Sequence, residues 1–474
     1  MPQFHIDDTI AAVATPPGEG GIAVIRVSGP EAVSLVEAIF KPAKADKKLS
    51  EVPSHTLHIG RVQEAEGGIQ DQVVVSVFRS PHSFTGENVL EISCHGGIIV
   101  TKKILDLLIR QGARHAEPGE FTRRAFLNGK IDLVQAEAVL DLIRAKSERS
   151  REEAVRQLSG SISHRFKLLK DQLMVLYAHM EAYLDFPDEH LEVYDDGTMA
   201  ARLRKIREEL EALIATFRRG SLMREGIVVT LIGKPNVGKS SIFNALLSKD
   251  RALVSEYPGT TRDKIEEYLE VQGYLVRLID TAGLGASIRH PLDQMGMEVT
   301  RKVFNQTHLY LFVVDGSKAL DPEDREVFEE ISRQFKTVED GKSFPVILIV
   351  NKSDLPAVLD FETLKRLTGD SDPVQVSSVT GQGLARIEEK MIEKIFQHEW
   401  QQEGEQVTRL RHKNALEAAA ASIRKTETAM GEKVSLELVT LEIKEALNCL
   451  SELVGEIYSE DLLDVIFSEF CIGK

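Results

Sequence analysis

The amino-acid sequence predicts an α/β plus α architecture, with a mixed α/β domain at the N-terminus and a helical domain into which a second α/β domain is inserted. Strand-like apolar runs alternate with helical patterns through residues 1–128, and strand-like runs return through 226–395. Residues 129–225 and 396–474 instead carry long helical periodicity. Because each helical flank alone makes a thin bundle, we expect the two flanks to form one domain.

Apolar periodicity predicts the individual elements. Residues 21–27 and 72–78 are apolar runs typical of strands, whereas 31–40 and 100–111 repeat apolar residues at helical spacing. Further along the chain, helices are predicted over residues 134–186, 199–217 and 410–470.

Length and charge limit the possible functions. The chain has 474 residues, and single cores stop growing at roughly 250 to 300 residues, so we expect several domains. The net charge of −16 argues against dispersed, nonspecific nucleic-acid binding, yet residues 101–170 hold fifteen Lys or Arg against nine Asp or Glu. This basic segment could meet phosphates or could be a solvated helix face. Its densest candidates are Arg123, Arg124, Arg144, Lys146 and Arg149.

Three cysteines without a Cys-x-x-Cys pair favour a reducing compartment over a disulfide scaffold. Cys94 has no third ligand at metal spacing, and Cys449 lies on an apolar helix face and is expected in the core. The tail position of Cys471 leaves a packing role and a reactive thiol both open. The sequence has neither a signal-peptide core nor a run of about eighteen apolar residues, so we expect a cytoplasmic protein without membrane contact.

The most informative segment is Gly-Lys-Pro-Asn-Val-Gly-Lys-Ser-Ser, which lies between the apolar run 227–232 and a helical pattern that begins at Ile242. Its glycines allow backbone N–H groups to converge on phosphate oxygens. Lys239 can reach the terminal phosphates and Ser240 can coordinate Mg²⁺. The predicted nucleotide contacts here are Asn236, Val237, Gly238, Lys239, Ser240 and Ser241.

Later motifs indicate a guanine nucleotide. Asp354 ends an Asn-Lys-Ser-Asp string after the strand-like run 346–350, and its carboxylate can accept from guanine N1 and the exocyclic amine. Asp280 is predicted to support Mg²⁺ indirectly, Thr261 to bind it directly, and the Gly283 N–H to sense the γ-phosphate. The inserted domain is therefore predicted to be a Ras-like P-loop GTPase domain. Its other predicted contacts are Thr260, Thr281, Ala282, Asn351, Lys352, Ser377, Ser378 and Val379.

The position after the Asp280-x-x-Gly283 turn departs from Ras-like enzymes. Those enzymes place a water-orienting glutamine there, whereas this chain has Leu284, which can neither donate nor accept. Water must therefore be positioned from elsewhere. The polar candidates in the following loop are His290, Asp293 and Gln294.

Outside the inserted domain, residues 8–10, 84–89, 117–142 and 470–474 resemble the MnmE (TrmE) family of tRNA modification GTPases, and the resemblance covers essentially the whole chain. It implies a homodimer that joins an FAD-containing MnmG (GidA)-type partner in a heterotetramer or larger assembly. It also implies addition of a carboxymethylaminomethyl or aminomethyl group to carbon 5 of the wobble uridine, position 34, of certain tRNAs. The implied one-carbon source is 5,10-methylenetetrahydrofolate or a 5-formyltetrahydrofolate analogue, with FAD only on the partner.

The resemblance also implies where the folate binds. It assigns folate binding and dimerisation to the N-terminal domain and a functional cysteine, Cys471, to the C-terminal tail. The implied folate-binding residues are Arg26, Glu91, Lys130 and Lys474. Folate carries carboxylates and a pterin, so cations and one acceptor carboxylate suit it.

Two further roles in GTP hydrolysis follow from the resemblance. It implies K⁺-dependent pairing of the GTPase domains, and an ion near Asn236 would place positive charge between the phosphates as an arginine finger does. The implied K⁺ ligands are Asn236, Ser255, Tyr257 and Thr260, and Ser255 also counts as a GTP contact. Where the family usually has a catalytic glutamate this chain has the shorter Asp293, which we assign to orienting the attacking water.

Two other functions remain possible on the sequence. One is a regulatory switch GTPase that acts in ribosome or complex assembly without supporting covalent chemistry. The other is a folate-binding aminomethyltransferase-like enzyme with a vestigial nucleotide domain, which the complete set of phosphate and guanine motifs disfavours.

Overall fold

The computed structural model describes most of the chain in two compact units. The first unit comprises Met1–Leu140, Gln157–Arg207 and Ala418–Lys474, and the second comprises Asp141–Arg156 and Glu208–Glu417. The residues described are 7–44, 47–64, 67–185, 196–250, 266–280, 306–338, 345–368, 372–396, 404–432 and 434–474.

A seven-stranded sheet carries two helices in the N-terminal part of the first unit. Its elements are β1 Ile10–Val13, β2 Gly20–Ser28, α1 Ala32–Ile39, β3 Phe40–Pro42, β4 Thr56–Gln63, β5 Ile69–Phe78, β6 Val89–Gly96, α2 Ile98–Gln111 and β7 Arg114–His115. The strand order is β3-β4-β5-β6-β2-β1-β7, and every pair is antiparallel except β1 with β7. The predicted strands and helices over 21–27, 31–40, 72–78 and 100–111 are thus confirmed to within three residues at each end.

Side-chain alternation decides which face of this sheet is buried. Ile25 and Val27 of β2 point into the core with Ile104 and Leu108 of α2. The residue between the two β2 side chains, Arg26, therefore lies on the opposite face. This places Arg26 on a surface where a polar site can form.

Helices follow the first sheet. They are α3 Glu120–Leu127, α4 Leu133–Arg144, α5 Glu148–Leu158, α6 Ser161–Asp185, α7 Asp196–Ala215 and α8 Phe217–Glu225.

The second sheet has six strands. The elements that complete the chain are β8 Ile227–Ile232, α9 Lys239–Asp250, β9 Glu266–Val271, β10 Tyr274–Asp280, β11 Leu309–Asp315, α10 Pro322–Val338, β12 Val346–Asn351, α11 Phe361–Thr368, β13 Val374–Gln375, α12 Leu384–Phe396, α13 Leu410–Gly431, α14 Leu436–Val454 and α15 Glu460–Ser468. The strand order is β13-β12-β11-β8-β10-β9, with only β9 antiparallel to its neighbour. Every residue of β8, β11 and β12 is buried, as expected for central parallel strands.

Within the first unit, a helix that precedes the second sheet in the sequence packs against a helix that follows it. Helix α6 packs along α14, with Phe166 and Leu173 buried on α6 and Ile443 and Leu450 buried on α14. The first unit therefore contains an N-terminal α/β part and a helical part. Within the described ranges, no helix combines the length and apolarity needed to cross a bilayer.

Candidate functional site

The loop between β8 and α9 has a backbone that requires glycine at two positions. Gly233 has φ +143° and Gly238 has φ +98°. A Cβ at Gly233 would collide with the carbonyl oxygen of Val313, and one at Gly238 with the side-chain amide of Asn351. Asn236 is left-handed as well, with φ +64°, a conformation that asparagine tolerates better than most residues.

Lys239 lies over this loop. Its side chain is nearly buried, and Nζ donates to the carbonyl oxygens of Gly233 at 2.8 Å and Lys234 at 2.9 Å. Burial lowers the pKa of Lys239, and the carboxylate of Asp280 opposes this shift. The ammonium group therefore already lies at the loop that is predicted to bind phosphates.

Ser240 and Asp280, both predicted to act at Mg²⁺, lie within hydrogen-bond distance of each other. The Ser240 hydroxyl donates to Asp280 Oδ2 at 2.7 Å, and Asp280 ends β10. The described residues contain no cluster of three His, Cys, Asp or Glu side chains that could hold a metal. Mg²⁺ commonly takes one or two protein oxygens with phosphates and water, so this hydroxyl and carboxylate fit it.

Asn351 connects the phosphate loop to the loop that follows β13. Its Nδ2 donates to the Val237 carbonyl at 2.9 Å, and its Oδ1 accepts from the Ser378 N–H at 3.3 Å. The Asn351 side chain is almost completely buried. Asn351, itself a predicted nucleotide contact, thus holds the predicted phosphate loop next to the predicted guanine-contact loop at Ser378.

The other predicted guanine contacts differ in exposure. Asp354 and Val379 are exposed, whereas Ser377 is buried and its hydroxyl oxygen accepts from the Thr380 N–H at 3.2 Å. The Lys352 ammonium donates to Asp315 Oδ2 at 2.6 Å. Ser377 therefore shapes its turn, and Asp354 is accessible to a ligand.

Several predicted residues lie outside the described ranges. They are Ser255, Tyr257, Thr260, Thr261, Thr281, Ala282, Gly283, Leu284, His290, Asp293 and Gln294.

A second cluster lies on the open face of the first sheet. Arg26 of β2 stands opposite Glu91 of β6, and its guanidinium donates to Glu91 Oε1 at 2.9 Å and to the Gly473 carbonyl at 3.3 Å. The guanidinium carbon also lies 5.4 Å from the ring centre of Phe84 and 5.6 Å from that of Phe121. Arg26 is therefore fixed by both charge and aromatic contacts.

The C-terminal tail reaches this cluster. The Lys474 carbonyl accepts from the Phe121 N–H at 3.2 Å, and Gly473 has φ +96° with its Cα facing the carbonyl of Val13. Burial and the charge of Arg26 lower the pKa of Lys474, while Glu91 and the exposed Cys471 oppose that shift. Three of the four predicted folate residues thus share one neighbourhood.

The fourth predicted folate residue, Lys130, contacts the loop that carries Phe84. Its ammonium donates to the Pro81 carbonyl at 3.0 Å, and its stem lies beside Gly86. The sequence reasoning did not identify Phe84, Phe121 or Gly473 as site residues. Their only signal was their place in or beside the segments that carry the family resemblance.

The other two cysteines are less accessible than Cys471. Burial, with a smaller contribution from Asp71, raises the pKa of Cys94 to about 11, and its thiol donates to the Ala23 carbonyl at 3.6 Å. Cys449 was expected in the core but is only half-buried on α14. Burial also raises the pKa of Cys449.

Two of the basic residues considered for nucleic-acid contact are buried in ion pairs, so that hypothesis is wrong for them. Arg124 pairs with Asp8, Glu87 and Glu120, and its side chain is 3% exposed. Arg123 pairs with Glu460 and Asp464 of α15. The exposed candidates are Arg144, Lys146 and Arg149.

Comparison with known protein families covers almost the whole chain. The model of the MnmE helical domain matches residues 133–471, and the model of the GTP-binding protein TrmE N-terminus matches residues 9–130.

Three relatives that align with this chain over nearly their full length share one name. The tRNA modification GTPase MnmE of Thermoanaerobacter pseudethanolicus is 43% identical over 469 residues, which cover 98% of this chain and 99% of the relative. The protein of that name from Carboxydothermus hydrogenoformans is 42% identical, covering 99% and 100%, and that from Bacillus pumilus is 40% identical, covering 98% and 100%. The chain therefore belongs to the MnmE (TrmE) family of tRNA modification GTPases.

Proposed function

We propose that this chain hydrolyses GTP in its second unit and couples that reaction to the modification of tRNA, the activity for which its relatives are named. The observation that carries the proposal is the pair of hydrogen bonds through which Asn351 joins the phosphate loop to the loop at Ser378. The exposed carboxylate of Asp354 follows the same strand end. Phosphate and guanine groups could therefore be bound at one edge of a parallel sheet.

The proposal includes a domain organisation. Residues 1–128 would form the folate-binding and dimerisation domain, and 226–395 a Ras-like P-loop GTPase domain inserted between helical segments 129–225 and 396–474. The mostly parallel sheet from β8 to β13 and the packing of α6 on α14 support this organisation.

The nucleotide site offers defined roles for its side chains. Mg²⁺, when bound, would neutralise charge on the β- and γ-phosphates, with Ser240 as a ligand and Asp280 orienting that hydroxyl. The Lys239 ammonium would exchange its carbonyl partners for phosphate oxygens. Asp354 would accept from guanine, and Asp293 would orient the attacking water.

Potassium is proposed to stimulate hydrolysis through pairing of two GTPase domains. The position of Asn236 in the phosphate loop, three residues before Lys239, supports this role. The other ligands would be Ser255, Tyr257 and Thr260. GTP turnover should be faster in K⁺ or Rb⁺ than in Na⁺, and equal rates in the three salts would contradict this part of the proposal.

The cluster around Arg26 is proposed as the folate site. Arg26, Lys130 and Lys474 supply cations for the folate carboxylates, and Glu91 is an acceptor for the pterin. Tetrahydrofolate would supply the one-carbon unit for carbon 5 of uridine 34. Cys471, exposed beside this cluster, is the proposed reactive thiol.

The assembly that performs the modification is proposed to be a homodimer with an FAD-dependent MnmG-type partner, acting on tRNA. The proposed folate site lies within the first unit, and FAD is proposed to be bound by the partner. A cytoplasmic location agrees with its three free cysteines.

Mass spectrometry of tRNA wobble uridines tests this function. Cells that lack the protein should lose the modification, and the Cys471→Ser variant should fail to restore it although its GTPase rate is unchanged. Cys449→Ser, at the half-buried cysteine, is the matched control and should restore it. Intact wobble uridines in cells without the protein would instead favour a regulatory switch GTPase in ribosome or complex assembly.

A further inference from the structure

Lys234, directly after the first glycine of the phosphate loop, is held by two carboxylates that have no role in the mechanism above. Its Nζ donates to Asp324 Oδ2 at 2.9 Å and also to Asp321. The Lys234 side chain is 11% exposed and that of Asp324 is 4% exposed. Burial alone would lower the pKa of Lys234, but the two hydrogen bonds raise it above its ordinary value. Lys234 is therefore a charged and largely desolvated anchor.

The two carboxylates are fixed by the start of α10. The Asp321 N–H donates to Asp324 Oδ2 at 3.2 Å, and the Asp324 N–H donates to Asp321 Oδ1 at 3.1 Å. This reciprocal pair is a capping arrangement, and Pro322 occupies the first helical position, which favours proline. The helix end thus provides a rigid attachment point for Lys234.

The same lysine shapes the loop through its backbone. The carbonyl oxygens of Lys234 and its neighbour Gly233 are the two partners of the Lys239 ammonium. Within the described residues, Asp324 Oδ1 is buried and accepts no hydrogen bond. If Lys234 were lost, Asp324 would remain a buried carboxylate with no cation, so the loop and the helix end would both rearrange.

The connection from β11 to α10 also reaches the guanine side of the site. Asp315 begins this connection and its carboxylate accepts from Lys352. Asp321 ends it, Asp324 lies in the first turn of α10, and both hold Lys234. One short segment is therefore attached to both the phosphate loop and the predicted base loop.

We infer that Lys234, Asp321 and Asp324 are positioning residues for the nucleotide, which hold the phosphate loop against α10 in the conformation that receives phosphates. This inference rests on the proposed GTPase function. Because the same loop surrounds the phosphates before and during the reaction, loss of the tether should raise KM and the nucleotide Kd while leaving kcat unchanged.

The test measures the affinity of the full-length protein for a fluorescent GDP analogue, with steady-state GTP hydrolysis alongside. Lys234→Met should weaken binding about tenfold, as expected when the binding-ready loop falls to roughly one tenth of the population. Lys234→Arg, which keeps the charge and can still pair with both carboxylates, should restore most of the affinity. Lys318→Met removes an exposed lysine from the same connection and should bind as the wild type does.

Asp324→Asn provides a second test in case Lys234→Met does not fold. Its amide oxygen can still accept from Asp321, so the helix start is retained while the charge is removed, and KM should rise with kcat unchanged. Wild-type Kd and KM in both variants, even with a lower thermal midpoint, would overturn the inference. A wild-type protein that does not bind the GDP analogue would instead overturn the proposed function.

Discussion

The two candidate sites differ in how the chain assembles them. In the second unit, the ammonium of Lys239 bonds to the carbonyl of Lys234, five residues earlier, and the glycines of the loop permit its left-handed backbone. In the first unit, Arg26 bonds to the carbonyl of Gly473, 447 residues later. The nucleotide site is thus largely a product of local motifs, whereas the Arg26 cluster exists only when both ends of the chain meet.

This difference implies that the two sites can be damaged separately. A change in the phosphate loop should leave the Arg26 cluster intact, and a change in the C-terminal tail should leave GTP hydrolysis intact. Two predictions test this separation directly, at Lys239 and Gly473; two others test the base site at Asp354 and the ion pairs of Asp8 in the first unit.

Lys239→Ala should have the largest effect. Removing one preorganised charge from the site should reduce kcat for GTP by about 10²- to 10³-fold. Binding of 5-formyltetrahydrofolate, measured by titration calorimetry, should not change. Lys394→Ala, at an exposed lysine of α12, is the control, and loss of folate binding in Lys239→Ala would show that the sites are not separable.

Asp354→Asn should change which nucleotide is bound. An amide cannot accept both guanine N–H groups as a carboxylate does, so the preference for GTP over ATP should fall by about 10- to 100-fold. Competition with a fluorescent GDP analogue measures this preference. Xanthine nucleotides, which present an acceptor to the new amide, should regain affinity, and an unchanged GTP preference would remove Asp354 from the base site.

Gly473→Ala should damage the other site. The left-handed backbone at φ +96° and the contact with the Val13 carbonyl leave no room for a Cβ, so the tail should detach. The expected loss of affinity for 5-formyltetrahydrofolate is about tenfold, with the GTPase rate unchanged. Gly431→Ala, at a glycine with open space around it, is the control. Unchanged folate affinity would show that the C-terminal tail does not contribute to folate binding.

Asp8→Asn should have the smallest effect and should depend on pH. Burial would raise the pKa of Asp8, but hydrogen bonds from Arg114 and Arg124 hold it below its ordinary 3.8. A carboxyl with a depressed folded pKa contributes stability above its unfolded pKa and loses it as the pH falls through the folded pKa.

The thermal midpoint of Asp8→Asn should therefore be about 2–4 °C lower than that of the wild type at neutral pH. The difference should shrink as the pH falls below 3.8 and disappear once the pH is below the depressed folded pKa, because the wild-type carboxyl is then protonated too. Asp171→Asn, at an exposed position on α6, is the control. A difference that persists at low pH would exclude the charge of Asp8 as its cause.

Much of the fold could be predicted because burial follows sequence periodicity. The apolar runs over residues 21–27 in β2 and 346–350 in β12 were sufficient to identify both strands. The strand order could not be predicted. β2 lies between β6 and β1, an arrangement that depends on which distant edges pair and not on local pattern.

The fate of polar side chains was the least predictable feature. Arg123 and Arg124 read as part of a basic surface, yet both are buried because carboxylates from distant segments neutralise them. Ser377 was predicted as a guanine contact through its backbone, and its side chain is buried and accepts a hydrogen bond within its own turn. The anchoring of Lys234 was not predicted, because its partners Asp321 and Asp324 follow it by 87 and 90 residues.

The sequence by itself determined the phosphate loop, the strand that precedes it and the carboxylate assigned to guanine, because backbone conformation and ligand chemistry there depend on neighbouring residues. Only the tertiary structure decided that Arg26, Glu91 and the C-terminal tail form one cluster, and that Lys234 is anchored to α10. These contacts form because charged side chains are desolvated when distant segments pack, and they must then pair with each other. No local sequence pattern predicts which charges will pair in this way.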